Sequence, residues 1–193
     1  MGRNKEFDEK VALQKAMELF WEQGYEKTSV GDLLEQMGIH RKSLYDTFGD
    51  KYTLYLSAID CYKEYMAEKW NSELLHAKTP GQAIENIFNA TIEGSENRPW
   101  GCFMVNAATE MALRDKEVEK KTEESFAQTE QFFAEIIREG QRTGEFSTAM
   151  DAEALAEIMH TTLLGIRVYV RTSPSKEKLR RMAEQFLLIL KGK

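Results

Sequence analysis

Three prolines and two cysteines are all that this 193-residue chain contains of either. So little proline leaves long helices uninterrupted, and two thiols, Cys61 and Cys102, cannot build a disulfide framework. No apolar run approaches the ~20 residues that a membrane span requires. No charged-then-apolar signal segment opens the chain either, so a cytoplasmic protein with no membrane partner is expected. Signatures of catalysis are missing too: there is no glycine-rich phosphate loop, no Cys-x-x-Cys and no His-Glu-x-x-His. The three histidines, His40, His76 and His160, stand at no metal-ligand spacing from another His or Cys. Neither an enzyme nor a metal or other cofactor is therefore expected. Strand-like alternation of useful length and internal repeats are also absent.

What remains is helical. Hydrophobic residues make up 42% of the chain and charged ones 30%, and the apolar positions recur at helical spacing, which predicts an all-α protein with a real core. The most informative stretch runs from Thr28 to Lys51. Thr28 and Ser29 are capping residue types before Val30, Leu33, Leu34 and Met37, so a short helix is predicted over 30–37. Gly38 suits the left-handed backbone of a helix end, and apolar Ile39 can plug the corner after it. A second helix follows, with Leu44 and Phe48 on one face and Arg41, Lys42, Ser43, Tyr45 and Thr47 largely on the others. Asp8 starts an earlier helix carrying Val11, Leu13, Ala16, Met17, Phe20 and Trp21, which closes a three-helix module.

A helix-turn-helix places the N-terminal residues of its second helix at base edges in the DNA major groove, with phosphate contacts around it. Arg41 and Lys42 suit phosphate or guanine, and Ser43, Tyr45 and Thr47 can donate to phosphate oxygens; Thr28, Ser29, His40 and Lys51 complete the candidate set. Bulk charge does not favour DNA: the net charge is −6, and residues 1–51 hold eight Lys and Arg against ten Asp and Glu. Placement has to carry the attraction, since charges are screened beyond ~10 Å at ordinary salt. Arg3, Lys5, Lys27, Arg41, Lys42 and Lys51 form the expected basic patch, and Asp46 puts a carboxylate on the same helix.

The set Phe20, Gly24-Tyr25, Thr28-Ser29-Val30, Leu33, Met37-Gly38-Ile39, Ser43-Leu44-Tyr45, Phe48, Lys51 and Leu54 resembles the DNA-binding domain of the tetracycline-repressor-like (TetR/AcrR) transcriptional regulators. The resemblance implies a helix-turn-helix DNA-binding domain over 1–50 and a larger helical effector-binding and dimerisation domain over 51–193. It also implies a homodimer on double-stranded operator DNA, acting as a repressor and released by a small-molecule effector. Half-sites would then lie about one helical turn of DNA apart or further, ~34 Å or more.

Beyond the turn at Gly49-Asp50, apolar residues from Leu54 to Leu75 predict a helix of ~37 Å at 1.5 Å per residue, a lever between two bodies. Thr79-Pro80 starts the next, with Ala83, Ile84, Ile87, Phe88 and Ile92 buried, and a loop over 94–101 with Ser95, Asn97 and Pro99 follows. Residues 102–113 are apolar almost all round and predict a central buried helix. A long stripe from Val118 ends at Gly140 and Gly144. Two last helices, begun by Asp151 and ended by Leu190, form a hairpin across Ser173-Pro174-Ser175.

Small and apolar residues on that hairpin, Thr161, Thr162, Gly165, Ile166, Ala183, Phe186, Leu187 and Leu190, suit a four-helix bundle between two copies, or else complete a monomer's core. In the resembled family this hairpin is the dimer interface. Tyr62, Tyr65, Met66, Trp70, Phe88, Trp100, Cys102, Phe103, Phe126, Phe133, His160 and Arg167, with Ile92 and Met104, are the candidates to surround an effector pocket, and any one of these rings can equally be core. Arg167, on an otherwise apolar helix, suits an acidic ligand, a glutamate partner or the dimer rim. Gly101-Cys102 at a helix start resembles the branch of the family that senses electrophiles or oxidants, although a core accepts cysteine readily. A helical interaction module that does not read DNA is the remaining alternative.

Overall fold

The computed structural model describes residues 7–94, 100–172 and 175–192. Within them the chain is helical: α1 Glu9–Gln23, α2 Val30–Met37, α3 Arg41–Phe48, α4 Lys51–Leu75, α5 Pro80–Gly94, α6 Phe103–Ala107, α7 Lys116–Arg142, α8 Ala152–Tyr169 and α9 Lys176–Leu190. The expected arm residues Arg3 and Lys5, the loop residues Ser95, Asn97 and Pro99, and Ser173-Pro174 of the hairpin lie outside the described residues.

Capping chemistry sets most of the starts. Asp8 accepts from the amides of Lys10 and Val11, Asp50 from Thr53, Asp115 from Glu117 and Val118, and Asp151 from Ala154. Each such cap satisfies donors a helix start leaves open and is worth ~1 kcal/mol. Between α2 and α3 the backbone turns at Gly38, whose φ of 70° is a left-handed conformation that a side chain would resist. Leu33, Met37 and Leu44 are buried there against Ala16, Met17 and Phe20 of α1, while Val11 faces water at 49% exposure, outside the stripe expected for it.

α4 packs on α1 and α3 and also on α5, α6 and α7, so it belongs to both bodies. α5, α7, α8 and α9 form the rest, with α7 on α8, α5 on α9 and α8 on α9 as major pairings. The expected single helix over 102–113 is two elements: α6 gives way to a π-helical turn, Ala108–Ala112. Leu113, expected inside, is 99% exposed. The wider π turn carries Glu110, whose carboxylate accepts from the amides of Tyr25 and Glu26, both at 2.9 Å, and so docks this segment on the end of α1.

Gly140 does not end α7, which continues to Arg142. It is glycine because the buried ring of Phe146 lies against it, 2.1 Å from where a Cβ would stand. The Phe146 amide also bonds the Gly140 carbonyl at 3.0 Å, which holds the ring in place. Gly140→Ala should therefore destabilise the protein by about 1–3 kcal/mol through overpacking. Helix propensity alone would instead raise stability by roughly 1 kcal/mol. Urea unfolding measures which sign holds.

Candidate functional site

The outward face of α3 presents the predicted cations. Arg41 and Lys42 are exposed, Tyr45 is 44% exposed, and Ser43 and Thr47 are half-buried, because Leu44 and Phe48 turn the opposite face inward. His40 stands at the N-cap with extended backbone and makes no side-chain cap bond, so the first amides of α3 have no side-chain acceptor and suit an anion. Asp46 is exposed on the same helix. Lys27 is exposed as well, and Lys51 lies with Nζ 4.2 Å from the centre of the Tyr25 ring, a cation–π contact that steadies it beside the module.

One expected contact is corrected. Thr28 is fully buried and its hydroxyl donates to the Gly24 carbonyl at 2.6 Å, so it locks the turn between α1 and α2 instead of facing DNA. Ser29 is the true cap: its Oγ accepts from the Asp32 amide at 3.1 Å, and Asp32 accepts from the Ser29 amide at 2.9 Å. Ser29 stays exposed and keeps a hydroxyl proton for a phosphate.

Two adjoining cavities, of about 230 and about 120 Å³, share Tyr62, Met66 and Arg167 in their walls. Tyr65 lines the larger, and Trp70, Cys102, Phe126 and His160 line the smaller. The other pocket candidates are placed elsewhere. Phe88 packs on Phe186, Phe103 lies between Tyr55 and Tyr62, Phe133 rests on Trp70 and Phe132, and Trp100 meets Trp21 edge-on. Those four are packing residues, drawn inward by the same apolar character that made them candidates.

Arg167 is buried, donates to Cys102 Sγ at 3.3 Å and stacks with Cζ 5.4 Å from the Trp70 ring. Burial pushes the Tyr62 hydroxyl well above the usual phenol range, so it stays a neutral hydrogen-bonding group. His160 Nδ1 lies 2.9 Å from Glu130 Oε1. Burial lowers the His160 pKa, with Glu130 pulling the other way. A neutral ring donating from Nδ1 to ionised Glu130 leaves Nε2 as an acceptor.

The hairpin candidates divide. Ile166, Ala183, Phe186 and Leu190 are buried within the protomer, so they build its own core and not an interface. Thr162, Gly165 and Leu187 remain partly exposed. The exposed apolar set is different: Ile158, Val168 and Tyr169 on α8, and Leu188 and Ile189 on α9. Sequence spacing missed them because both helices have apolar residues on two faces, and periodicity does not say which face meets the protomer. Among the described residues no group of His, Cys, Asp and Glu could hold a metal ion, and no helix is long and apolar enough to cross a membrane.

Comparison with known proteins decides the family. The model for bacterial regulatory proteins of the tetR family matches residues 12–58, and that for the tetracyclin repressor-like C-terminal domain matches residues 80–186. The chain belongs to the TetR family of transcriptional regulators. An uncharacterized HTH-type transcriptional regulator of Bacillus subtilis (strain 168), YezE, is 33% identical over 196 residues, 98% of this chain and 100% of that protein. The HTH-type transcriptional repressor ComR of Escherichia coli (strain K12) is 32% identical, over 94% of this chain and 88% of its own. The solved structure of a cysteine mutant of the TetR regulator CifR, complexed with 26-bp double-strand operator DNA, superposes with a TM-score of 0.84 at 29% identity, over 96% of this chain and 98% of that one. This chain, like those relatives, is a DNA-binding regulator with a helix-turn-helix.

A depressed His160 has a consequence for stability. Unfolded histidine titrates near ~6.5, so below that pH the unfolded chain binds the proton that folded His160 refuses, and stability falls as pH falls. Urea midpoints of wild type should drop from pH 7 to pH 5 by more than those of His160→Gln; equal drops would show that His160 titrates alike in both states.

Proposed function

We propose that this regulator is a homodimeric repressor whose two α3 helices enter successive major grooves of an operator, and that a small molecule in the α4–α8 cavities releases it. The observation that carries the DNA reading is the solvent-facing pair Arg41 and Lys42 at the start of α3, beside exposed Tyr45 and unsatisfied helix amides. Arg41, Lys42, Ser43, Tyr45 and Thr47 read or grip the groove, while Ser29, His40, Lys27 and Lys51 meet phosphates. Residues 1–50 are the reading head and residues 51–193 the sensing and pairing body.

The second copy covers the exposed apolar residues of α8 and α9. Ile158, Thr162, Gly165 and Tyr169 recur along α8 at helical spacing, with Val168 beside them, and a two-fold axis lets the same patch meet itself. Open space at Gly165 allows the close approach of a partner helix. Pairing also sets the distance between the two reading heads, which one protomer alone cannot do.

Tyr62, Met66 and Trp70 on the cavity wall belong to α4, the helix whose start adjoins α3. A ligand that favours one pose of α4 shifts the separation of the heads, and by linkage operator DNA weakens that ligand as much as the ligand weakens DNA binding. A ligand indifferent to the two poses does nothing.

Fluorescence anisotropy with duplexes from the DNA flanking its own gene tests the reading. Lys42→Glu should weaken binding more than tenfold with unchanged circular dichroism, and should flatten the fall of affinity with salt. Unchanged affinity removes Lys42 from the contact set. Ile189→Glu should convert a dimer to a monomer in sedimentation equilibrium and cost operator affinity more than tenfold; a wild-type monomer would refute the pairing.

A further inference from the structure

Arg167 is a charge in the wrong place for a merely structural role. Its guanidinium belongs to a residue only 7% exposed, and a cation withdrawn from water needs compensation by an anion or a full set of hydrogen bonds. Among the described residues its one hydrogen bond runs to Cys102 Sγ, and its remaining N–H donors, not sealed from solvent, are open to the cavities it lines. Arg138, Arg142 and Arg180, by contrast, each meet a glutamate on the surface. Among the described residues no carboxylate is paired with Arg167.

The cavities it lines have the same bias. Lys63 and Arg167 stand in the wall of the smaller one and Arg167 in that of the larger, and among the described residues neither wall includes an aspartate or glutamate. Glu130, the acid that meets the wall residue His160, is engaged by that ring. In a protein of net charge −6, a chamber with cations and no acid among its described wall residues does not follow from bulk composition. Shape narrows the ligand further. The smaller cavity is about 120 Å³ and is bounded by the flat rings of Trp70, Phe126, Phe132 and Tyr62. A cavity of ~150 Å³ lined by apolar groups holds a benzene ring, so a substituted ring needs the smaller cavity together with the adjoining one of about 230 Å³ that Arg167 also lines.

We propose that the effector is a small aromatic monoanion, an aryl carboxylate, whose carboxylate pairs with the Arg167 guanidinium while its ring lies among Trp70, Phe126 and Tyr62. This rests on the effector reading given above. Arginine's planar fork matches a carboxylate through two parallel hydrogen bonds, and His160 Nε2 offers an acceptor for a hydroxyl on the ring.

Titration of the full-length protein with benzoate and with its neutral counterpart benzamide, followed by tryptophan fluorescence and by operator anisotropy, tests the assignment. Benzoate should bind at least tenfold tighter than benzamide, and Arg167→Gln should erase that preference while Arg167→Lys retains part of it. The comparison of the two compounds on wild type stands even if a variant fails to fold. Benzamide binding as tightly as benzoate overturns the anion assignment and leaves the effector cavity standing. Benzoate that binds with the expected preference yet leaves operator affinity unchanged supports the anion site and removes its role as the release switch. Absence of binding by either compound overturns the proposal.

Discussion

Edge-to-face packing of aromatic rings along α4 holds the two bodies of this protein together. Tyr55 meets Phe20 of α1 at 5.0 Å and Phe103 of α6 at 5.7 Å, and Tyr62 meets Trp21 at 4.9 Å and Phe103 at 5.7 Å. Each ring buries a large apolar area, worth ~1.5–3 kcal/mol, and the perpendicular geometry aligns positive edges with negative faces. Polar contacts close the same seam: Trp21 Nε1 donates to the Gly101 carbonyl, Tyr52 to Asp115, and Glu110 holds the end of α1. α1 is thereby clamped between α4 and the α6–π segment, and a displacement of either is felt at the turn that sets α2 and α3.

Electrostatics act at two depths. On α3 the exposed cations work against a negative whole-molecule field, so they matter only within a few ångströms of phosphate, where the surrounding acids are screened. Inside, Arg167 works in a medium that screens little, and one charge there outweighs several at the surface. Surface pairs such as Arg142–Glu139 and Lys116–Glu119 are exposed and contribute little beyond local helix support. The first of these depths bears on the proposed DNA contacts and the second on the proposed effector.

Much was legible in the chain before any coordinates. The apolar spacing of Leu33, Met37 and Leu44 and the glycine at 38 marked the helix-turn-helix, and the structure has α2 and α3 at those positions. Caps at Asp8, Ser29 and Asp151 were readable as residue types because their effect is local. Less legible were residues whose role depends on a distant partner. Thr28 looks like a cap and is a buried turn lock; Gly140 looks like a helix stop and is a seat for Phe146; residues 102–113 look like one helix and contain a π turn that presents Glu110 to a backbone 85 residues earlier. Phe186 and Leu190 look like an interface and are core.

The sequence by itself determined where most helices begin, that they bury a continuous core, and that the second short helix has a basic outer side, since caps, periodicity and side-chain chemistry act within a few residues. Only the tertiary structure decided which of two apolar faces on α8 and α9 turns outward, which rings line a cavity and which fill space, and that the Arg167 guanidinium is shut away from every carboxylate described. Those outcomes depend on how helices far apart in the chain are stacked, and helical spacing carries no information about that.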